Sequence, residues 1–523
     1  MAEHRSITPD SPGTSIRVRM APSPTGDAHI GTARTTLFNY LFARHYGGAF
    51  ILRLDDTDRR REKPGAADAL YRDLLRLGLD WDEGPDIGGP SGPYVQSVRT
   101  SIYGEYLDRL LASGHAYRCY CDSARLATLK ADQVARGEPP RYDRRCLALA
   151  ERERAGLERA GLDHAGTPYV VRLCLPAESG AYHDLVYGDR RYDLRHADDP
   201  ILTRSDGSLL YDLASVVDDH LMAITHVLRG DGWLSTTPIH IALFHALGWE
   251  PPVFGHLPQI VGQDRRKLAK RDGSAALGGL LRAGYLPEAL VNFLALLGWS
   301  PPDGDEVLTL SELVARFDLR RVQRSPALFD TTKLDWLNGV YTRRLAPADL
   351  ATRCLPYLRT AGLLDGTSAN PDVSHAENAA AGDVDAPDVP DVRLERAVAL
   401  SQDRLRRLDE APDLLGFFLR APDLDHELLL ERGPAAPEAA ALLAAARAAL
   451  TEAADFTAPT LETMLRELAA THGYSTSQLF WLVRVAVTGR RAAPPLFDVL
   501  AALGRENVLA RLDRAAEAPG VAS

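Results

Sequence analysis

From Ile16 to Met20 apolar and basic residues alternate (IRVRM), the two-residue period of a strand. A loop rich in proline and glycine follows at 21–31. Next comes a helical stretch through Ala33, Leu37, Tyr40, Leu41 and Arg44, which Gly47 and Gly48 end. FILRLD at 50–55 predicts a second strand, and Ala66 to Leu77 a second amphipathic helix. Strand, glycine loop, helix, strand, helix is the start of a parallel βαβ sheet. Residues 96–205 break this rhythm and read as an insertion. They hold a helix (Tyr103 to Ala112), a cysteine-bearing loop, charged helical sequence at 147–160 and short strands near 169–175 and 185–194. Alternation of strand and helix resumes at 209–217 (LLYDLASVV) and 221–229 (LMAITHVLR), followed by a helix from Pro238 to Leu247. From about 275 most segments are helical, with Ala/Leu/Arg-rich stretches at 395–420 and 435–471.

At 523 residues the chain has room for roughly three to four domains. Its composition, 45% hydrophobic and 25% charged, is that of an ordinary globular protein. There is no apolar run of about eighteen residues, so no membrane span is expected. The first fifteen residues lack an apolar core and read as a disordered lead, not a secretory signal. Five cysteines, an odd number in a long chain, suit a reducing cytosol. A formal net charge of −11 would seem to disfavour nucleic acid. Phosphate contact needs only local positive patches, however. Such patches stand at 265–271 (RRKLAKR), 316–324 (RFDLRRVQR), 343–344 and 403–408 (DRLRRL). Residues 365–392, by contrast, carry seven acids and no Lys or Arg. Such a segment cannot bury enough apolar surface to order itself and is read as a flexible insertion.

Candidate chemistry begins in the first loop. PSPTGDAHIGT (22–32) joins a strand to a helix amino terminus, where N–H groups and the dipole suit phosphate. Gly26 and Gly31 let backbone approach a nucleotide, and His29 can donate to a phosphate without a fixed charge. An ordinary βα loop with an exposed histidine fits the segment equally well. Lysines in KLAKR (267–271) would stabilise charge on a leaving pyrophosphate, although short basic runs are usually solvated surface. Arg229, at a strand end in VLRGDGW, stands out unaided. Arg19 alternates with Arg17 and reads as a solvent-face residue, Asp55 as a turn or helix-capping acid, and Tyr211 as core or rim. Cys119 and Cys121 form a CxC, followed by Tyr142 and Cys146 in PPRYDRRC. Three thiolates with a phenolate or water would close a tetrahedral zinc site; buried reduced cysteines are the plainer reading. Cys174 and Cys354 read as core residues.

The two loop segments resemble the HIGH and KMSKS signatures of class I aminoacyl-tRNA synthetases. Longer strings are more specific. RMAPSPTGDAHIGTARTTLFNYLFARHYGGAFILRLDDTDRRR, LGLDWDEGP, GPYVQSVR, VVDDHLMAITHVLRGDGWLSTTPIH and LPEALVNFLALLGWS together look like the glutamyl-tRNA synthetase family, over about 16–515. The resemblance implies an α/β fold: a Rossmann-type parallel sheet with an inserted acceptor-binding domain, followed by an all-α anticodon-binding half. It implies a catalytic domain at 16–95 and 206–262, the insertion at 96–205, a stem-contact region at 263–340 and the helical region at 341–523.

By the same resemblance, Pro22, Gly26, His29, Gly31, Lys267 and Lys270 bind ATP, with His29 and Lys270 catalytic. The signature's serine is Ala269 here, which removes a hydroxyl. Arg19 and Arg229 take the two glutamate carboxylates, and an acid of the second strand holds the ammonium. That acid is usually Glu; here it is Asp55, one methylene shorter. Ser23 and Tyr211 line the pocket. Cys119, Cys121, Tyr142 and Cys146 match a structural zinc motif of some members, and Arg404 a position that reads the last anticodon base. The implied activity is attachment of glutamate to tRNA(Glu) through a glutamyl-adenylate, using ATP and Mg²⁺, in a cytoplasmic monomer. Three rivals are less well matched. A paralogue that glutamylates a base of tRNA(Asp) lacks the anticodon region, glutaminyl-tRNA synthetase ends in β-barrels, and a catalytically dead relative would have no need of both His29 and Lys270.

Overall fold

The computed structural model describes residues 15–26, 28–57, 62–154, 167–266, 268, 276–364 and 392–517. Two units divide it, one of 1–280 with 290–330 and the other of 281–289 with 331–523.

In the first unit, β1 (Arg17–Met20) leads through the glycine loop into α1 (Ile30–His45) and back into β2 (Ala49–Leu52), which runs parallel to β1 with Arg17 opposite Ala49. α1 is covered on nearly every side: Ile30, Ala33, Leu37, Phe38, Leu41 and Phe42 are buried, and so are Arg34, Thr36 and Asn39. A helix of that kind belongs inside a layered domain, not on its surface. Gly48 lets the chain return, because a Cβ there would stand 2.4 Å from the Ile16 carbonyl. α2 (Ala66–Arg76) buries only the stripe Ala66, Leu70, Leu74.

Four elements of the insertion follow in order: α3 (Thr100–Ser113), β3 (Ala116–Cys119), α4 (Ser123–Ala135) and α5 (Arg145–Arg154). β3 pairs antiparallel with β4 (Val170–Leu173), so the cysteine segment starts on a strand end. Next come β5 (Ser179–Asp184) and β6 (Gly188–Asp193), an antiparallel hairpin. β5 also pairs with β8 (Val253–Leu257), Asp184 opposite Phe254. Residues 179–193, grouped by sequence with the insertion, therefore join a four-stranded sheet of order β6-β5-β8-β7, where β7 is His226–Gly230. Main-chain pairing decides this, and no local pattern announces it.

LLYDLASVV is helix rather than strand from Tyr211 on: α6 spans Tyr211–Leu221 and buries Leu213, Ala214, Val216 and Val217. Short runs with β-branched residues leave helix and strand ambiguous. β7 (His226–Gly230), α7 (Thr237–Ala246) and β8 complete a second parallel strand-helix-strand unit, His226 opposite Val253. Just before β7 the Thr225 N–H donates to the Arg17 carbonyl at 2.9 Å, and the Val253 N–H donates to the Thr225 carbonyl at 2.9 Å. β7 thus lies beside β1 on the side away from β2. The chain leaves β1 in one direction and β7 in the other, which makes the carboxyl ends of β1 and β7 the switch point where open α/β sheets bind ligands.

β9 (Ile260–Val261), α8 (Leu277–Arg282), α9 (Pro287–Leu296), α10 (Leu310–Arg316) and β10 (Ala327–Leu328) follow, β10 pairing parallel with β9. Among the described residues of 331–517 every regular element is helical, from α11 (Thr331–Arg344) to α20 (Arg505–Ala516). No helix among the described residues is long and apolar enough to cross a membrane. The expected insertion at 365–392 lies outside the described residues, apart from Val392, which opens a helix.

Candidate functional site

A cavity of about 480 Å³ opens at the switch point. β1 and the loop after it supply Arg19, Met20, Ala21, Ser23, Pro24 and Thr25; β7 supplies Leu228, Arg229 and Gly230. The first turns of α1 add Gly31, Thr32 and Thr35, the segment after β2 adds Asp55, Asp56 and Thr57, and Tyr211 and Trp233 close one side. All five side chains assigned by resemblance to a dicarboxylic amino acid (Arg19, Ser23, Asp55, Tyr211, Arg229) meet here.

Of the nucleotide residues, Gly31 lines the cavity and Pro22 does not. Pro22 is buried, and its carbonyl accepts the Asp55 N–H at 3.0 Å, tying the loop to the segment after β2. Gly26 adopts φ of 129°, a left-handed conformation suited to glycine, with the Lys63 side chain alongside. His29 caps α1: its Nδ1 accepts the Gly31 N–H at 3.0 Å, which leaves Nε2 to carry the proton in the neutral ring. A Cβ at Gly31 would stand 3.3 Å from that Nδ1, so glycine is what admits the ring over the helix start. One amide donor of the α1 terminus is thus spent on His29 and is not offered to a phosphate. Lys267, Ala269 and Lys270 lie outside the described residues. The chain resumes at Ala276, bridged to His29, and Leu277 N–H donates to the Ala28 carbonyl at 2.8 Å.

Behind the cavity runs a buried ionic network that the sequence reading missed. Arg19 is no solvent-face residue; it is 3% exposed and grips Asp219 with Nε–H to Oδ1 at 2.9 Å and Nη2–H to Oδ2 at 3.2 Å. Arg53, fully buried, donates to Asp219 at 2.7 Å and to Asp55 at 2.8 and 3.3 Å. Asp218 accepts from Arg99 at 2.7 Å, Tyr103 at 2.8 Å and Gln96 at 3.0 Å. Burial pushes the Asp55 carboxyl up to about 6, with Arg53 opposing and Asp218 adding to it. Burial also pushes Asp219 upward, but Arg19 and Arg53 outweigh it and hold that carboxyl at about 2. Paired acids inside an otherwise apolar helix (VVDDH) were the available signal; two acids there need buried cations, and Arg53 within FILRLD was the other half.

Arg229 is also buried, yet its partners are neutral. Nε–H donates to His256 Nε2 at 3.1 Å, Nη2–H to the Thr237 hydroxyl at 2.9 Å, and Nη1–H to His240 Nδ1 at 3.4 Å. Tyr211 packs against Trp233 with ring centroids 4.6 Å apart and the planes tilted by 31°.

Away from the cavity, Cys119, Cys121 and Cys146 converge, their sulfurs all within 4.8 Å of one another. Cys121 and Cys146 Sγ are 3.6 Å apart, and the Tyr142 hydroxyl lies 3.3 Å from Cys119 Sγ and 3.7 Å from Cys121 Sγ. With Zn–S of about 2.3 Å and Zn–O of about 2.0 Å, tetrahedral edges are about 3.8 Å between sulfurs and about 3.5 Å from sulfur to oxygen. The three separations are near those edges, so the three cysteines could hold a metal ion with Tyr142 beside them. Arg125 Nη1–H donates to Cys121 Sγ at 3.3 Å, and Arg172 lies over the Tyr142 ring at 4.3 Å. Those cations offset thiolate charge. Hydrogen bonding with Cys146 draws the Cys119 thiol down, while the Cys146 thiol is driven up. Cys354 is buried, as expected of a core residue; Cys174 is half-buried against this cluster. In the second unit, Arg404 stands exposed in a short turn at 402–404.

Asp219→Ala is expected to strip Arg19 of its carboxylate partner, leave Arg53 to Asp55, and cost about 3–5 kcal/mol, read as a lowered denaturation midpoint of the first unit.

Comparison with known proteins agrees with this geometry. Residues 15–336 match the family of tRNA synthetases class I (E and Q), catalytic domain, and residues 349–516 an anticodon binding domain. A glutamate–tRNA ligase of Acidothermus cellulolyticus is 46% identical over 512 residues, covering 96% of this chain and 95% of that protein. Another, from Roseiflexus sp. (strain RS-1), is 45% identical over 513 residues, 96% of each. Among solved structures, a glutamate tRNA ligase from Elizabethkingia meningosepticum in complex with its amino acid superposes with a TM-score of 0.82 at 30% identity. It covers 96% of this chain and 99% of that one. With a charge-lined cavity at the switch point and likeness along both units, the chain belongs to the glutamate–tRNA ligases of the class I tRNA synthetase family.

Proposed function

We propose that this chain uses ATP to join glutamate to the 3′ end of tRNA(Glu). Glutamate attacks the α-phosphate of ATP to form glutamyl-adenylate and release pyrophosphate; the terminal adenosine hydroxyl of the tRNA then takes the acyl group. The observation that carries this reading is the pairing, in one cavity, of two buried guanidinium groups with a buried carboxylate, a charge pattern matching the two carboxylates and one ammonium of glutamate. Such a reaction needs little proton transfer, so the chain's contribution is position and charge.

In this reading Arg19 and Arg229 receive the carboxylates, Asp55 the ammonium, and Ser23 and Tyr211 the remaining walls. His29, Gly31 and the first turn of α1 face the nucleotide, with Gly26 shaping its loop and Lys267 and Lys270 completing the phosphate site. Mg²⁺ bound with ATP would neutralise phosphate charge. Zinc held by Cys119, Cys121, Cys146 and Tyr142 would be structural, closing the insertion. Arg404 serves anticodon reading, and the enzyme works as a cytoplasmic monomer. The exclusively helical regular structure among the described residues of 331–517 supports this reading over a glutaminyl relative ending in β-barrels, and the anticodon domain match argues against the short paralogue.

Pyrophosphate exchange tests the function: incorporation of labelled pyrophosphate into ATP is expected with glutamate once tRNA is present, and exchange driven by glutamine instead would refute the substrate. The Asp55 carboxyl, raised to about 6, gives a second expectation. Below that pH it takes a proton and loses its pull on an ammonium, so KM for glutamate should rise roughly ten-fold from pH 7 to pH 5. Asp55→Asn should flatten that profile at the weaker value. Metal analysis should find about one zinc per chain, lost in Cys146→Ser.

A further inference from the structure

The two arginines of the cavity are not equivalent. Arg19 is clasped by the carboxylate of Asp219, which cancels much of its charge before any substrate arrives. Arg229, 5% exposed, meets imidazole, hydroxyl and carbonyl groups instead: His256, His240, Thr237 and the Trp233 carbonyl at 3.4 Å. Behind each imidazole stands an acid. His256 Nδ1 lies 2.5 Å from Asp184 Oδ2, and His240 Nε2 lies 3.0 Å from Asp212 Oδ1. Asp184 is itself fixed, accepting the N–H groups of Val186 and Tyr187 at 3.0 and 2.8 Å.

We propose that His256 and His240, each backed by its carboxylate, are positioning residues that hold the Arg229 guanidinium in place while leaving its positive charge uncancelled for glutamate. The tautomers follow from the bonds. Arg229 donates to His256 Nε2, so Nδ1 carries the proton toward Asp184; it donates to His240 Nδ1, so Nε2 carries the proton toward Asp212. Burial lowers the affinity of both rings for a second proton, and Arg229 lowers it further, so both stay acceptors at neutral pH. A carboxylate placed directly on Arg229 would fix it equally well, but it would neutralise the cation and compete with the substrate's own carboxylate. Interposing an imidazole keeps the acid a ring's width away. β5 delivers Asp184 to β8, and α6 delivers Asp212 to α7.

This rests on Arg229 facing glutamate, and the test separates the two claims. Steady-state aminoacylation would be measured for His256→Leu, His256→Gln, His240→Leu, His240→Asn and Arg229→Met, with thermal melting of each. The leucine variants remove the acceptor and should raise KM for glutamate roughly ten-fold or more, with kcat and the KM for ATP within about two-fold. Gln at 256 restores an acceptor near Nε2, and Asn at 240 one near Nδ1; each should recover most of the loss. A wild-type glutamate KM in the leucine variants, or parallel loss in both substrates and kcat, would overturn the proposal. Should leucine at 256 prevent folding, His256→Asn, whose acceptor sits at the wrong ring position, takes its place; Asn and Gln behaving alike there would also overturn it. An unchanged glutamate KM in Arg229→Met would instead remove the pocket reading beneath it.

Discussion

Six ionised side chains, three guanidinium and three carboxylate, lie together with no more than 4% exposure: Arg19, Arg53, Arg99, Asp55, Asp218 and Asp219. Their charges cancel, and they must, since an unpaired ion at that depth costs several kcal/mol. Pairing fixes where their elements can lie. β1 carries Arg19, the segment after β2 carries Arg53 and Asp55, α6 carries both acids, and Arg99 stands at the start of α3. The cavity exists because these elements are drawn to one point and held there by groups that tolerate no slack.

Against that neutral block, Arg229 is the exception. Burial disfavours its charged form, and no carboxylate stands at hydrogen-bonding distance among its described partners to compensate. A cation left in that state is poised to gain from an arriving anion, because the desolvation has already occurred in the empty protein. Binding affinity in such a pocket is built in before the substrate enters. The same economy appears at the α1 terminus. His29 takes the Gly31 amide for itself, so the ring is held by the backbone it caps.

Much of this was legible from local pattern. β1, α1, β2 and α2 fall close to where alternation and helical spacing put them. The cysteine cluster is legible from its own spacing and Arg229 from its strand end, while Arg19, Ser23, Asp55 and Tyr211 need the match of whole strings; the cavity and the sulfur distances bring each set together. Other readings failed for reasons that have a physical form. LLYDLASVV was ambiguous because an apolar run carries no period of its own. Arg19 looked exposed because alternation with Arg17 predicts a polar face, and only its distant partner, Asp219, makes burial tolerable. The pairing of β5 with β8, made some seventy residues later in the chain, likewise has no local signature.

Sequence by itself determined the chemistry available: a glycine-rich turn before a helix, acids and arginines at strand ends, thiols spaced for a metal, and a helical carboxyl-terminal half. Tertiary structure alone decided which charges cancel and which do not. Arg19 and Arg229 are the same residue type on neighbouring strands, yet one faces a carboxylate and the other two imidazoles. That difference comes from α6, β8 and α7 arriving from far along the chain, and interactions over such separations leave no trace in local periodicity.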